Sequence, residues 1–267
     1  MHTCTIEQFG MIKSKRYMGI DMEKALIFTA VGTGLFFDDS YDKENHWRFT
    51  KPERTYETCA IVFNDFEPEP NTYDHIIRQK GLKWNIIPEV AKTFDWRKYD
   101  YIGCFDDDYT TDIQSMNEAL AIARHYDFRL FHQSLTSKCV WPLMIHNPEL
   151  FFTETDFIEC GTPFFRNDMF EKLLPLITDY TNEKSEWGLD KIWCHWLETT
   201  GHVIHKNTIK HMRTQGEGTS YYTLDDAFAA MNYLLTDFYP KYVKEKRGIE
   251  NYRYVESQNV LKSFKLA

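Results

Sequence analysis

The stretch Tyr99-Asp100-Tyr101-Ile102-Gly103-Cys104-Phe105 runs directly into Asp106-Asp107-Asp108, and the reading of that junction decides the fold. A short apolar run rich in aromatic and β-branched residues is the mark of a buried strand. Charge that begins abruptly at its end marks where the chain leaves the core. Three adjacent carboxylates repel one another, so gathering them in a concave site is unfavourable unless a cation or a set of donors offsets the charge. Along an extended chain alternate side chains share a face, which sends Asp106 and Asp108 to the same side. Hard divalent cations such as Mg²⁺ or Mn²⁺ favour such oxygen ligands and leave positions for phosphate oxygens. From the triplet alone, an acidic surface turn is the plainer alternative.

Working outward, residues 25–31 and 58–64 read as two further strands, separated by a polar loop with at most one helix. Residues 71–80 place Tyr73, Ile76 and Ile77 at helical spacing before Gly81, predicting a helix. Residues 84–87 open another element. Asp112 predicts the cap of a helix whose inner face carries Ile113, Met116, Ala119, Leu120 and Ala123. Strands follow at 129–133 and 157–165, then a helix capped by Asn167 or Asp168 and bent by Pro175. An amphipathic helix at 190–197, an extended segment at 203–211 and a helix at 224–246 complete the pattern. Repeated alternation of strand and helix predicts an α/β mixed sheet covered on both faces, with ligand sites beyond the carboxyl ends of its strands. The organisation expected is an N-terminal segment 1–24, a catalytic domain 25–214 and a helical extension 215–267.

The 267 residues include 31 Lys+Arg and 40 Asp+Glu, a net charge of −9, and 43% are hydrophobic. That length and composition support a large core and exclude disordered and fibrous classes. Residues 25–37, the longest nearly uncharged stretch, are too short and too broken by Gly and Thr to span a bilayer. The first 24 residues have no apolar leader pattern. Six cysteines form no C-x-x-C pair, which suits a reducing, cytoplasmic setting, with Cys104 and Cys160 as small core fillers. The aromatic share of 16% invites a role in gripping a ring or a sugar. From Lys241 onward the chain carries seven Lys/Arg against three Glu, leaving −13 on the first 240 residues. That acidity disfavours a nucleic-acid partner. The basic tail reads as a solvated helix packed on the domain, or as a weak contact with an anionic surface.

Two distant segments bear on the aspartates. Glu186-Trp187-Gly188-Leu189-Asp190 sets carboxylates and a Trp around a Gly at a helix start. It is either a turn with capping acids or a general base beside an aromatic platform. His205 and His211, six apart, share a side if their segment is extended. Each is either a structural histidine or an imidazole completing an oxygen-rich metal site.

Asp-x-Asp after a strand, Trp-Gly-x-Asp opening a helix and a late His together resemble glycosyltransferases of the GT-A fold, a Rossmann-like mixed sheet. More narrowly, the ordered motifs at 106–108, 158–166, 186–190 and 209–211 resemble the DUF707 family, over about residues 26–214. The resemblance implies a metal site of Asp106, Asp108 and His211, with His205 as the substitute, holding Mn²⁺ or Mg²⁺. It implies a nucleotide-sugar donor, with UDP-sugars first, near Val31, Gly32, Asp65, Lys83, Asp106 and Asp107. Asp190, then Glu186, would be the catalytic acid or base, and Glu159 and Trp187 would meet a hydroxyl-bearing acceptor on a glycan, lipid-linked sugar or protein. Glu186 stands where the family has Gly and Asp107 where it has Glu, so acceptor identity is not carried over. A metal-dependent nucleotidyltransferase or phosphohydrolase, or a non-catalytic sugar- or nucleotide-binding module, is the alternative.

Overall fold

The computed structural model describes residues 3–6, 24–136, 141–180, 185–213, 223–256 and 258–266. Its strands are β1 (Thr3–Ile6), β2 (Ala25–Val31), β3 (Tyr56–Val62), β4 (His75–Arg78), β5 (Tyr101–Phe105), β6 (Tyr109–Thr110), β7 (Leu130–Leu135), β8 (Phe152–Thr155), β9 (Phe164–Arg166), β10 (Gly201–His211) and β11 (Val260–Leu266). All but β6 line up in the order β1-β11-β8-β10-β7-β9-β5-β2-β3-β4, and β6 pairs with the end of β10. β8 and β9 run against their neighbours while every other pair in that order is parallel. The carboxyl ends of β2, β3, β5 and β10 therefore share one edge of a mixed α/β sheet. β2 and β5 are buried throughout, as strands covered on both faces must be, so they read as continuous apolar runs rather than alternating ones.

The helices are α1 (Lys83–Thr93), α2 (Ile113–His125), α3 (Asn167–Asp179), α4 (Trp193–Leu197), α5 (Leu224–Tyr233) and α6 (Tyr239–Arg247). Asp112 caps α2 as expected, accepting the Ser115 amide at 2.7 Å. α1, α3 and α4 pack together, and their seam absorbs most of the aromatic surplus. Trp84 meets Trp193 edge-on at 5.0 Å and Phe165 at 6.2 Å, while Trp96 meets Phe170 at 5.0 Å. Such edge-to-face pairs add about 0.5–1.5 kcal/mol each beyond their buried area. The aromatics expected to grip a ligand are thus chiefly core.

Three expectations change. Residues 71–80 contain the edge strand β4 rather than a helix: its register against β3 exposes Ile76 by 51% and turns Ile77 inward, a period of two that tertiary pairing imposes. Within 157–165 only Phe164 onward is strand, because residues 156–163 cross over the site instead. The basic tail is more than a helix. Residues 224–247 form one helical run with a π-helical turn at Leu234–Phe238, and β11 then returns to pair with β8 and β1. Among the described residues no helix is long and apolar enough to cross a membrane. Cys59, Cys104 and Cys194 are buried free thiols, and Cys160 is half-buried.

Candidate functional site

The three aspartates at the end of β5 take different roles. The Asp106 amide donates to the Gly161 carbonyl at 2.8 Å and that of Cys104 to the Pro163 carbonyl at 3.0 Å, tying the crossing segment to the strand end. A side chain at Gly161 would meet the Tyr109 hydroxyl at 2.1 Å, so only glycine passes there. Asp107 is buried. Its carboxylate accepts the Gly32 amide at 2.8 Å, its carbonyl accepts Arg48, and Arg213 lies 3.7 Å away. It fastens the loop after β2 to the loop after β5.

Asp106 pairs with Lys83 at 2.8 Å and keeps 41% of its side chain open. Burial pushes its carboxyl up to about 6, with Lys83 opposing and the charge of Asp108 adding. Asp108 lies 3.1 Å from His211 Nε2.

Lys83, the first residue of α1, is buried and donates to Asp106, to the Cys160 carbonyl at 2.7 Å and to the Gly161 carbonyl at 3.4 Å. Burial works against its charge, but Asp106 outweighs that and raises its pKa. Leu82, at the N-cap of α1, contributes no side-chain cap. Glu186 supplies one from a distant segment, accepting the Asn85 amide at 2.9 Å, and burial pushes its carboxyl up to about 8. The Trp-Gly-x-Asp segment is in this way docked on α1.

Gly188 follows at φ +97°, where a side chain would strike Met231 Cγ at 2.8 Å. This close approach seats α5 beside the site, and Trp187 meets Phe228 edge-on at 5.6 Å. Asp190 is buried, and burial followed by the charge of Glu159 pushes its carboxyl up to about 7. Glu159 accepts the Gly161 amide at 2.8 Å and the Tyr109 hydroxyl at 3.3 Å, with the ring of His132 3.4 Å away. Burial raises its pKa, yet His132 and the amide prevail and hold it below the usual carboxylate range. Two neighbouring carboxylates therefore sit in opposite states of preference.

His211 ends β10 and stacks on Tyr109 at 4.5 Å and 2°. Burial lowers its pKa, but Asp108 outweighs burial and raises it. His205 lies elsewhere: the register of β10 against β7 slips between Ile204 and Thr208, so simple alternation fails. Its Nδ1 accepts the Asn147 amide at 3.1 Å, and burial holds its pKa down to about 4. Of the residues expected near a nucleoside, Val31 is buried in a small cluster with Ala60, Val62 and Tyr73, the Gly32 amide is taken by Asp107, and Asp65 is exposed after β3.

The sequence reading missed His132, Arg48 and Arg213. His132 carried a signal, an imidazole on β7 that is buried with Gln133 and Ser134 beside it. Arg213 stands two residues beyond His211.

Among the described residues no three His, Cys, Asp or Glu side chains converge as a closed metal site. Magnesium-type ions are commonly held by one or two protein ligands, with waters and substrate phosphates completing the shell. The carboxylate and imidazole of Asp108 and His211 fit that smaller requirement, and Asp106 faces Lys83 instead.

No protein-family model matches the chain, and no curated protein matches it in sequence. Among solved structures it is similar to residues 1–349 of the glycosyltransferase TarS of S. aureus in complex with UDP-GlcNAc, with TM-score 0.50 and 9% identity, over 79% of this chain and 65% of that one. A second structure of the same TarS fragment gives TM-score 0.46 and 9% identity, over 84% of this chain and 73% of that one. The first likeness is one of fold, a mixed sheet of the kind found in glycosyltransferase structures.

Proposed function

We propose that the chain is a glycosyltransferase that moves a sugar from a nucleotide-sugar donor, with UDP-sugars first, to an acceptor hydroxyl. One observation carries this reading. Asp108 and His211, then Lys83 with Asp106, then Glu159 and the buried Asp190 gather where β5 and β10 end, in a fold like that of a protein bound to UDP-GlcNAc. The order and spacing of the four motifs support the narrower likeness to the DUF707 family.

Asp108 through its carboxylate and His211 through its imidazole nitrogen would hold Mn²⁺ or Mg²⁺, with Asp106, paired to Lys83, beside them. Such an ion, when bound, supplies charge neutralisation for a leaving diphosphate. The protein's own groups do the rest. Lys83, itself buried and fixed on three acceptors, opposes the rise in the Asp106 pKa and holds the Gly161 segment in place. Asp107 fixes the loop at Gly32, beside which the nucleoside would lie.

Asp190, with a carboxyl near pH 7, is poised to accept the proton of an acceptor hydroxyl, since a base works best when its pKa is close to the working pH. That role applies if the reaction inverts configuration; if it retains configuration, Asp190 orients the acceptor. Glu159, held ionised by His132, accepts a hydrogen bond from the acceptor, and Trp187 backed by Phe228 offers an apolar wall.

The test is a screen of UDP-, GDP- and CMP-sugars with Mn²⁺, following thermal shift and slow donor hydrolysis in the parent and in Asp108→Asn. A UDP-sugar should stabilise the parent and release nucleoside diphosphate, with both effects weakened in the variant. Release of pyrophosphate or orthophosphate would favour the nucleotidyltransferase or phosphohydrolase alternative. Equal metal-dependent binding by parent and variant would overturn the assignment of Asp108.

A further inference from the structure

The carboxylates of Asp106, Asp107, Asp108 and Glu159 act on one another around the end of β5, so an anionic ligand there needs a cation with donors to spare. Three of the neighbouring cations have none. Lys83 is buried and spends its ammonium on Asp106 and on the Cys160 and Gly161 carbonyls. Arg48 is fully buried, donating to the Tyr73 hydroxyl at 3.0 Å and to the Asp107 carbonyl. Lys210 pairs with Asp38.

Arg213 differs from all three. Among the described residues it makes no hydrogen bond, and its one carboxylate neighbour, Asp107, stands at 3.7 Å, beyond hydrogen-bond reach. Asp107 does not depend on it. Burial raises the pKa of Asp107, and Arg48 and the Gly32 amide oppose that rise ahead of Arg213.

The side chain is nonetheless held in place. The antiparallel register of β6 and β10 sets Lys210 against Thr110 and His211 against Tyr109. The Met212 amide carries the ladder on to the Asp108 carbonyl at 2.8 Å, which brings Arg213 opposite Asp107. Its guanidinium lies over the Phe36 ring at 4.8 Å, in the loop that Asp107 fastens through Gly32. With 27% of the side chain open, a further partner can reach it.

A planar fork of N–H donors, fixed and uncommitted, matches a phosphate group, which it can grip through two parallel hydrogen bonds. Two residues of extended chain, about 7 Å, separate it from His211, so one ligand can span Arg213 and the pair Asp108 and His211. We infer that Arg213 is a phosphate-binding residue and takes the diphosphate of a nucleotide held where β5 and β10 end. That the phosphates belong to a nucleotide donor rests on the glycosyltransferase reading; the phosphate site does not.

Isothermal titration of the full chain with inorganic pyrophosphate and with UDP, each with Mg²⁺ present, tests this in the parent, in Arg213→Gln and in Arg213→Lys. The parent should bind both ligands, and UDP more tightly. Arg213→Gln should weaken both by about 10- to 100-fold, the scale of one charge-assisted bidentate contact. Arg213→Lys keeps the charge without the fork and should recover part of that loss. The unliganded Arg213→Gln variant should melt at the parent temperature, because it gives up no hydrogen bond. Equal binding by parent and Arg213→Gln overturns the assignment and leaves the donor reading standing. A loss that comes with a lowered melting temperature and is not recovered in Arg213→Lys also overturns it, making Arg213 a structural partner of Asp107 and Phe36. If pyrophosphate binds through Arg213 and UDP binds no more tightly, the phosphate site stands and the donor reading falls. Binding of neither ligand to the parent overturns both.

Discussion

The acidic site and the basic C-terminal run are both dense in charge, yet they are built in opposite ways. In the tail several cations meet counterions in water: Lys244 with Glu250 at 2.9 Å, Lys246 with Glu245 at 2.9 Å, and Arg247 with Glu198 at 2.9 Å while it stacks on Trp196. Exposed pairs of this kind contribute only about 0–1 kcal/mol each. In the site, Glu186 and Asp190 are carried into cover and burial lifts their carboxyls to about 8 and 7, while Asp106, 41% open and paired with Lys83, rises only to about 6. Charge that is fully paired serves the fold. Charge held at a cost and left incompletely paired is where binding and proton transfer are to be sought.

The hardest test of this contrast is Asp108→Asn, which should lower donor turnover by about 100-fold or more, since charge placed against a leaving group is usually the largest single contribution. Initial rates of nucleoside diphosphate release measure it. Asp190→Asn comes next, with an expected loss of about 100-fold in transfer and no change in donor thermal shift.

Asp190→Asn should also reveal the cost of the site. The folded-state pKa of Asp190 lies above its unfolded value, so the parent loses stability as pH rises from about 4 to about 7. The variant lacks that loss and should be more stable than the parent above pH 7 by about 2–4 kcal/mol, with the gap closing near pH 4. Urea melts at the two pH values decide this, and a gap that does not depend on pH would show that Asp190 is well paired after all.

A smaller effect is expected at Gly161→Ala, where crowding against Tyr109 should cost about 1–3 kcal/mol and loosen Glu159 along with it. The smallest belongs to the tail. Lys244→Gln with Lys246→Gln should leave the melting temperature almost unchanged. Salt-dependent binding of the parent to phosphatidylserine vesicles, lost in this double variant, would show that the tail is more than a paired surface.

The junction at Asp106 was legible because burial stops there: an apolar run has to end where its side chains meet solvent. Local chemistry likewise announced the Asp112 cap and the apolar face of α2. Residues 71–80 misled because Tyr73, Ile76 and Ile77 satisfy two periods at once, and only pairing with β3 chooses between them. His205 misled because a bulge is invisible to alternation. Glu186 shows a deeper limit. Its suitability as an acid and as a cap are the same property, and which one operates depends on α1 arriving from 100 residues earlier in the chain. His132 escaped notice because a polar side chain in a buried strand has meaning only once its partner, Glu159, is beside it.

The parallel pairing of β1 with β11 sets Thr3 against Ser263. No other contact of the sheet spans so much chain, and closing so long a loop carries an entropic cost before any hydrogen bond is gained. The sheet therefore has an order of assembly written into it. Its parallel centre, with the aspartates, can form from residues 25–211, whereas the β1 edge has to wait until residue 266 is available. During synthesis on the ribosome, β1 emerges ahead of the other strands of this sheet and is the last of them to find its partner.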